Sequence, residues 1–254
     1  MSHRERMLGP PRVRRRLAAL ASAPPNFDPS ELSRAGAAEG WRVDDICQVL
    51  LSEPPGDPVP GGTWRLARAL MRGYAFADPS IVRAFYDPDV PLQGRNMLLK
   101  LQAFGLVHLY VGVRVNEVYD TTVIQDGREA RVWGWNYRTL KGHVESGQMD
   151  WEVWKWPDTG AVEFRVHAVS RRVAIANPFV RVGYALSRGH ERALFLASTG
   201  RRMRAFTDLV AGNDDGPAAV RAAARAMSAR RSPEVDVTAE ELEHALREVR
   251  TLRT

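Results

Sequence analysis

The chain has 254 residues, of which 44% are hydrophobic and 26% charged, a balance typical of a globular protein. This composition excludes a mostly disordered chain, a collagen-like chain and a coiled coil, and no apolar run is long enough to predict a transmembrane helix. The single cysteine, Cys47, cannot form an internal disulfide, so it fits a reducing compartment and excludes a cysteine-rich metal site. We therefore expect a cytoplasmic protein of one or two domains.

The formal net charge of +6 is concentrated at the N-terminus, where residues 1–20 hold six arginines and one acid. The charges of the remaining chain nearly balance, and arginine outnumbers lysine by 33 to 3. Because counterion release requires clustered basic side chains, we expect no nucleic-acid binding by the folded body. An apolar segment at 17–23 follows the arginines and has the outline of a signal peptide, but it is only about the minimum length. We interpret it as the end of a short basic amphipathic helix that stops at Pro24.

Residues 1–40 are thus predicted to form a basic arm and a linker. Alternating apolar residues predict a first strand over 41–51, and the prolines and glycines of 52–62 predict a loop. Thr63 is a predicted N-cap for a helix over 64–74 with one apolar face.

The middle of the chain is rich in strand patterns. Residues alternate between apolar and polar, or form short apolar runs, in six segments, namely 81–86, 96–103, 106–119, 130–139, 149–156 and 162–170. The sequence Gln-Asp-Gly at 125–127 predicts a hairpin turn between two of these strands. Residues 140–148 contain two glycines and are predicted to form a loop.

The last part of the chain is helical. A long helix is predicted to begin at 177–178, to break near 187–189 and to end at about 210. A linker and two helices follow, the second with a predicted capping box at Thr238 and an apolar face formed by Leu242, Ala245, Leu246 and Val249. This order predicts an α+β fold over 41–210, with a curved antiparallel sheet gripping a long C-terminal helix, and a linker and helical tail over 211–254.

The segment 133–148 (WGWNYRTLKGHVESGQ), followed by FRVHAVSR at 164–171, resembles the bacterial and plant family called domain of unknown function nineteen-ninety. The similarity covers roughly 41–207 and includes PLQGRNMLL at 91–99. This chain has Gln148 where many members carry a glutamate, which puts in doubt any role for a second carboxylate there. The resemblance implies no established reaction. It implies a helix-grip fold of the START or Bet v 1 type, in which an apolar cavity binds lipids, sterols or aromatic metabolites and some members are cyclases.

Our leading hypothesis is the binding of a small hydrophobic molecule in such a cavity, where aromatic walls supply burial and a few hydroxyls orient the ligand. The competing interpretation of the same pattern is plain core packing. The predicted ligand-binding residues share one side of their strands and are Trp133, Trp135, Tyr137, Thr139, Met149, Trp151 and Phe164.

A second hypothesis is a cyclase- or isomerase-like enzyme. His143 and Glu145 lie between Gly142 and Gly147 in the predicted loop, and a histidine there could act as an acid or base near neutral pH. The alternative is a glycine turn in which Glu145 pairs with an arginine.

A third hypothesis is an interaction module, in which the tail helix at 238–251 docks on a protein partner or on a second copy of the chain. We expect no metal site, because the six histidines are scattered and no H-E-x-x-H motif occurs. We also expect no cofactor, because neither G-x-G-x-x-G nor a P-loop follows a strand.

Overall fold

The computed structural model of the protein describes residues 2–103, 107–173, 178–211, 217–230 and 234–251. Seven strands follow one another along the chain: β1 (Arg42–Val49), β2 (Val82–Phe85), β3 (Asn96–Ala103), β4 (Val107–Gln125), β5 (Arg128–Thr139), β6 (Glu145–Lys155) and β7 (Val162–Arg172). The α-helices among the described residues are α1 (His3–Leu8), α2 (Pro11–Ala19), α3 (Thr63–Arg72), α4 (Pro178–Ala211), α5 (Pro217–Ala226) and α6 (Val235–Thr251). This order of elements confirms the predicted α+β class.

The strands form one antiparallel sheet in the order β1-β7-β6-β5-β4-β3-β2. From β2 onward each strand pairs with its successor, and β1 closes the series by pairing with β7. The predicted turn joins β4 to β5 through Asp126 and Gly127, whose φ angles are 53° and 74°. Positive φ at both central residues is typical of a two-residue hairpin turn, which explains why the sequence has Asp-Gly there.

We call the side of the sheet that carries α3 and α4 the inner face. It is built from alternate positions of the strands, as the period of two predicts. Its Trp135 and Trp151 are fully buried. α4 reaches this face with Phe195, whose ring lies edge-on to Trp151 at 6.1 Å, and with Arg192, which bonds Asp44 of β1. A long C-terminal helix therefore lies across the sheet, as predicted.

The opposite side, which we call the outer face, is covered at β3 and β4 by the N-terminal helices. Leu17 and Leu20 of this segment are buried against Leu98 of β3. Gly112 makes the close approach possible, because a Cβ at this position would collide with Leu20. Arg114 donates to the carbonyl of Leu20 at 2.6 Å. The basic N-terminal segment is thus packed on the sheet.

The tail helix α6 packs on α3 and α5 of the same chain. Its predicted apolar face is buried, with Leu242 at 0% and Val249 at 4% exposure. The predicted capping box is wrong, because α6 begins at Val235 and Thr238 lies inside the helix, 1% exposed. Among the described residues, no helix is both long enough and apolar enough to cross a membrane.

Three other local predictions need correction. The N-cap of α3 is Gly62, and the carboxylate of Glu53 accepts the N–H of Trp64 at 2.7 Å, which supplies the cap that Thr63 was expected to provide. α4 runs without the predicted break, and Gly189 is accommodated at the usual cost of glycine in a helix, about 1 kcal/mol. Glu145 belongs to β6, because the loop after β5 is shorter than predicted.

Candidate functional site

A compact cluster of aromatic rings lies on the inner face, and it is the candidate site. Trp135 of β5 and Trp151 of β6 are directly opposite in the sheet register, with ring centroids 6.4 Å apart. Tyr137 lies 6.0 Å from Trp135, and Phe164 of β7 stacks on Trp151 at 6.1 Å. All four side chains are buried. The fold therefore brings together these four predicted ligand-binding residues.

Rings from outside the sheet close the cluster. Phe76, which follows α3, lies 4.5 Å from Trp151, and Tyr74 lies 6.1 Å from the same ring. Sequence reasoning missed Tyr74 and Phe76, because they stand in a turn without strand or helix periodicity. Tyr74 has a φ of 60°, a left-handed conformation that no local sequence pattern predicts. Phe195 of α4 was also missed, since the face of α4 was not predicted.

The two phenol hydroxyls of the cluster differ, because Tyr137 has a hydrogen-bond partner and the buried hydroxyl of Tyr74 has none among the described residues. The hydroxyl of Tyr137 donates to Met149 Sδ at 3.3 Å. Met149, a predicted ligand-binding residue, is therefore a hydrogen-bond acceptor within the protein. Burial raises the pKa of Tyr137 to about 12. Burial, and next the neighbouring Tyr137, raise the pKa of Tyr74 well above its usual range. Both phenols are therefore neutral near pH 7.

The two central indoles share the unpaired state of the Tyr74 hydroxyl. The Nε1 atoms of Trp135 and Trp151 have no hydrogen-bond partner among the described residues, although both side chains are completely buried. Buried donors are nearly always paired in folded proteins, and an unpaired one costs about 1–3 kcal/mol. Trp135 and Trp151 therefore each hold a buried N–H group that no described acceptor uses.

Two of the predicted ligand-binding residues stand apart from this centre. Trp133 lies at the α3 end, where the guanidinium of Arg68 is 5.3 Å from its ring. The hydroxyl of Thr139 donates to Asn26 Oδ1 at 2.6 Å and accepts from the N–H of Gly147 at 2.9 Å. Thr139 thus joins the N-terminal segment to the start of β6, and its hydroxyl is engaged away from the rings.

The predicted catalytic pair lies where the turn after β5 meets β6, with His143 in the turn and Glu145 as the first residue of β6. His143 Nδ1 accepts the backbone N–H of Glu145 at 3.0 Å, and burial lowers the pKa of His143 to about 4. The carboxylate of Glu145 pairs with Arg192 of α4 at 3.1 Å. Gly142 and Gly147 have φ angles of 93° and 156°. The turn thus has the geometry of the alternative interpretation, a glycine turn with a paired glutamate, and the catalytic role stays a prediction.

Two ionisable side chains near the cluster are shielded from solvent, with Arg202 buried and Glu241 partly buried, and the sequence did not predict this. Arg202 of α4 is 1% exposed, and its Nε donates to the carbonyl of Phe76 at 3.2 Å. Burial lowers the pKa of Arg202 to about 10 and raises that of Glu241 on α6 to about 8. Arg202 therefore fixes Phe76 against the cluster. Among the residues described, no three histidine, cysteine or acidic side chains are grouped so that they could hold a metal ion.

Comparison with protein families identifies the chain. The family model described as "Domain of unknown function (DUF1990)" matches residues 27–202, which is most of the chain and confirms the resemblance noted in the sequence. Helices α1 and α2 precede the matched region, and α5 and α6 follow it. No curated protein matches the chain.

Solved structures show distant similarity. A hypothetical protein, jhp0584, from Helicobacter pylori is 12% identical, with 71% of this chain and 95% of that chain covered and a TM-score of 0.40. Ara h 8.0201 is 12% identical, with 65% and 99% covered and a TM-score of 0.34. The major latex-like protein 151 from Panax ginseng is 10% identical, with 62% and 99% covered and a TM-score of 0.30. These low scores and identities indicate a shared type of fold and carry no information about function.

Proposed function

The chain belongs to the DUF1990 family, and we propose that it binds a small hydrophobic or aromatic molecule between the inner face of the sheet and α4. The observation that carries the proposal is the pair of unused indole N–H groups of Trp135 and Trp151 in the centre of an aromatic cluster. A ligand with aromatic or aliphatic surface and one carbonyl, ether or hydroxyl oxygen matches both the rings and the unpaired N–H groups. The rings would contact its apolar part, and the N–H groups would donate to its oxygen.

Burial supplies the affinity in this proposal. Each Å² of apolar surface removed from water is worth about 25 cal/mol, so a ligand of modest size gains several kcal/mol from the rings alone. Two hydrogen bonds from buried donors would then fix the orientation of the ligand.

The proposed site also has a movable wall. The ring contacts at 4.5–6.4 Å leave the cluster closely packed, so a ligand requires α4 or the 73–81 turn to shift outward. α4 is joined to the sheet by side-chain contacts such as those of Phe195 and Arg192, whereas the strands are joined to one another by backbone pairing, so α4 is the element that we expect to shift. We therefore expect ligand binding to displace α4 and to leave the strands in place.

Native mass spectrometry of the purified protein, followed by solvent extraction, tests the proposal. We expect a stoichiometric apolar compound that is released on denaturation. Trp135→Phe and Trp151→Phe keep an aromatic ring and remove an N–H, so both should lower the fraction of occupied protein. Trp154→Phe on the outer face is the matched control and should leave occupancy unchanged. A protein that is empty, and that also fails to bind a panel of lipids and aromatic metabolites, would contradict the proposal.

The enzyme alternative has weaker support. With a pKa of about 4, His143 is a poor base near neutral pH, and the Glu145 carboxylate is engaged by Arg192. If this turn nevertheless carries the reaction of a cyclase or isomerase, His143→Ala should fold and bind ligand but lose turnover of the extracted compound. If it is a structural turn, the same variant should lose stability and keep any turnover.

A further inference from the structure

We propose that a surface groove formed by α3, the β4–β5 hairpin and the end of α6 binds the oxyanion group of a small molecule, a phosphate or a carboxylate. The groove has a volume of about 680 Å³, which is within the range of small-molecule sites. It lies apart from the centre of the aromatic cluster, so the proposal does not depend on the function proposed above.

Helix α3 supplies most of the positive charge. Arg65, Arg68 and Arg72 all line the groove, and their spacing of three and four residues places them on one side of the helix. Arg131 of β5 lines the groove from the hairpin. Four arginines thus line the groove, together with four acidic residues. Guanidinium groups bind phosphate and carboxylate through paired, charge-assisted hydrogen bonds.

The acids near the groove compensate this charge unevenly. Asp120 bonds Arg131 at 2.6 Å but lies 3.5 Å from Arg68, and Glu248 lies 3.2 Å from Arg72. Arg65 forms no ion pair with any described residue. The other two acids of the lining, Asp57 and Glu129, are exposed and pair with none of the described arginines.

Arg68 is the key group of the proposed site. Its ion pair with Asp120 is long, at 3.5 Å, so its charge is only partly compensated, and burial lowers its pKa. Its guanidinium lies 5.8 Å from the ring of Trp64 and 5.3 Å from that of Trp133. Contact with two aromatic faces restrains the arginine, which reduces the entropy lost on binding an anion. Trp64 is 3% exposed, lines the groove and has an Nε1 with no hydrogen-bond partner among the described residues.

Isothermal titration calorimetry of the full chain at low ionic strength tests the proposal, with pyrophosphate and tricarballylate as separate probes. Arg65→Gln and Arg68→Gln should each weaken binding about tenfold or more, the usual effect of losing a charge-assisted hydrogen bond. Arg201→Gln is the matched control, because Arg201 is an exposed helical arginine without an ion pair among the described residues, and it should leave binding unchanged. Arg65→Gln removes no described contact, so it remains informative even if Arg68→Gln lowers stability.

A variant with the opposite sign completes the test. Asp120→Asn removes the carboxylate that competes for Arg68 and Arg131, so it should tighten binding of the same probe. Binding of pyrophosphate alone would support a phosphate ligand, binding of tricarballylate alone a carboxylate ligand, and binding of both the shared chemistry. The proposal is overturned if neither probe binds at millimolar concentration, or if binding is equal in the wild type, Arg65→Gln and Arg68→Gln.

Discussion

The two faces of the sheet differ in the hydrogen bonding of their tryptophan N–H groups. On the outer face Trp154 donates to Glu152 at 2.7 Å and Trp156 donates to Glu163 at 3.0 Å. On the inner face Trp135 and Trp151 are more deeply buried but have no acceptor among the described residues. The strand β6 carries both arrangements, since Trp151 and Trp154 are only three residues apart.

The outer pair shows how this chain satisfies an indole that serves the fold alone. A carboxylate on the same or the next strand accepts the N–H, and an arginine covers the ring, with Arg165 3.9 Å from Trp154 and Arg128 4.5 Å from Trp156. The same strands could place acceptors on the inner face, yet they place rings there. In the proposed function, the inner N–H groups donate to a ligand from outside the chain.

The largest expected effect comes from removing the support behind the inner face. Deletion of residues 217–251 exposes the side of α3 that α6 buries, where each large apolar side chain is worth about 1.5–3 kcal/mol. Because natural domains are stable by only about 5–15 kcal/mol, we expect a steep fall in Tm or unfolding, measured by circular dichroism. Leu242→Ala is the milder form and should cost about 2–5 kcal/mol.

The deletion and Leu242→Ala also test the hypothesis that the tail is an interaction module. The apolar face of α6 is buried in its own chain, so size-exclusion chromatography of Leu242→Ala should show the same oligomeric state as the wild type. An unchanged Tm together with loss of an oligomer would instead show that the tail serves a partner.

Truncation of one tryptophan on each face compares the two environments directly. Trp151→Ala should cost about 3–5 kcal/mol in urea unfolding, because the ring is fully buried among six other rings. Trp154→Ala should cost less, because its ring is partly exposed and is covered by the movable side chain of Arg165. An equal loss of unfolding free energy in the two variants would show that the two faces are packed alike, which would contradict the difference drawn between them.

Substitution by phenylalanine isolates the N–H groups. Trp154→Phe removes the bond to Glu152 and should cost about 1 kcal/mol beyond the loss of ring area. Trp135→Phe in ligand-free protein should show no such additional cost, because its N–H has no acceptor to lose. Urea unfolding of both variants after solvent extraction measures the difference. A larger hydrogen-bond cost for Trp135→Phe would reveal an acceptor on the inner face.

The last effect concerns the turn beside the inner cluster and is confined to acidic pH. Since burial lowers the pKa of His143 from 6.5 to about 4, its neutral form stabilises the fold above pH 6.5, and this contribution is lost as the pH falls toward 4. His143→Gln should therefore make stability less dependent on pH between 6.5 and 4, measured by urea unfolding at several pH values. An NMR titration in which His143 changes charge near pH 6.5 would contradict this account and favour an accessible acid–base group.

Sequence patterns predicted the sheet and most of the cluster because strand alternation assigns residues to faces directly. Trp133, Trp135, Tyr137, Met149, Trp151 and Phe164 all lie on the predicted face. Thr139 follows the same alternation, but its role depends on Asn26, a contact 113 residues away that no local pattern contains. Tyr74 and Phe76 were missed for a related reason, since a turn without periodicity places them.

The sequence also did not predict which charged side chains are buried. Arg202 reads as a surface residue in an arginine-rich helix, yet the packing of α4 against the 73–81 turn leaves it 1% exposed. The docking of α2 on the outer face was missed because its few apolar side chains are scattered among arginines. In both cases the pattern specified the helix, and tertiary packing decided which side of it is buried.

The most direct test of the central claim is to follow the indole N–H signals of all seven tryptophans by NMR while a ligand is added. Acetylnaphthalene is a suitable probe because it is a neutral aromatic molecule with one carbonyl, and ethylnaphthalene is its control without an acceptor. The account predicts that acetylnaphthalene shifts the signals of Trp135 and Trp151 downfield, that ethylnaphthalene does so less, and that Trp154 and Trp156 stay in place. Unchanged signals for Trp135 and Trp151 with both compounds, or equal shifts on both faces, would contradict it.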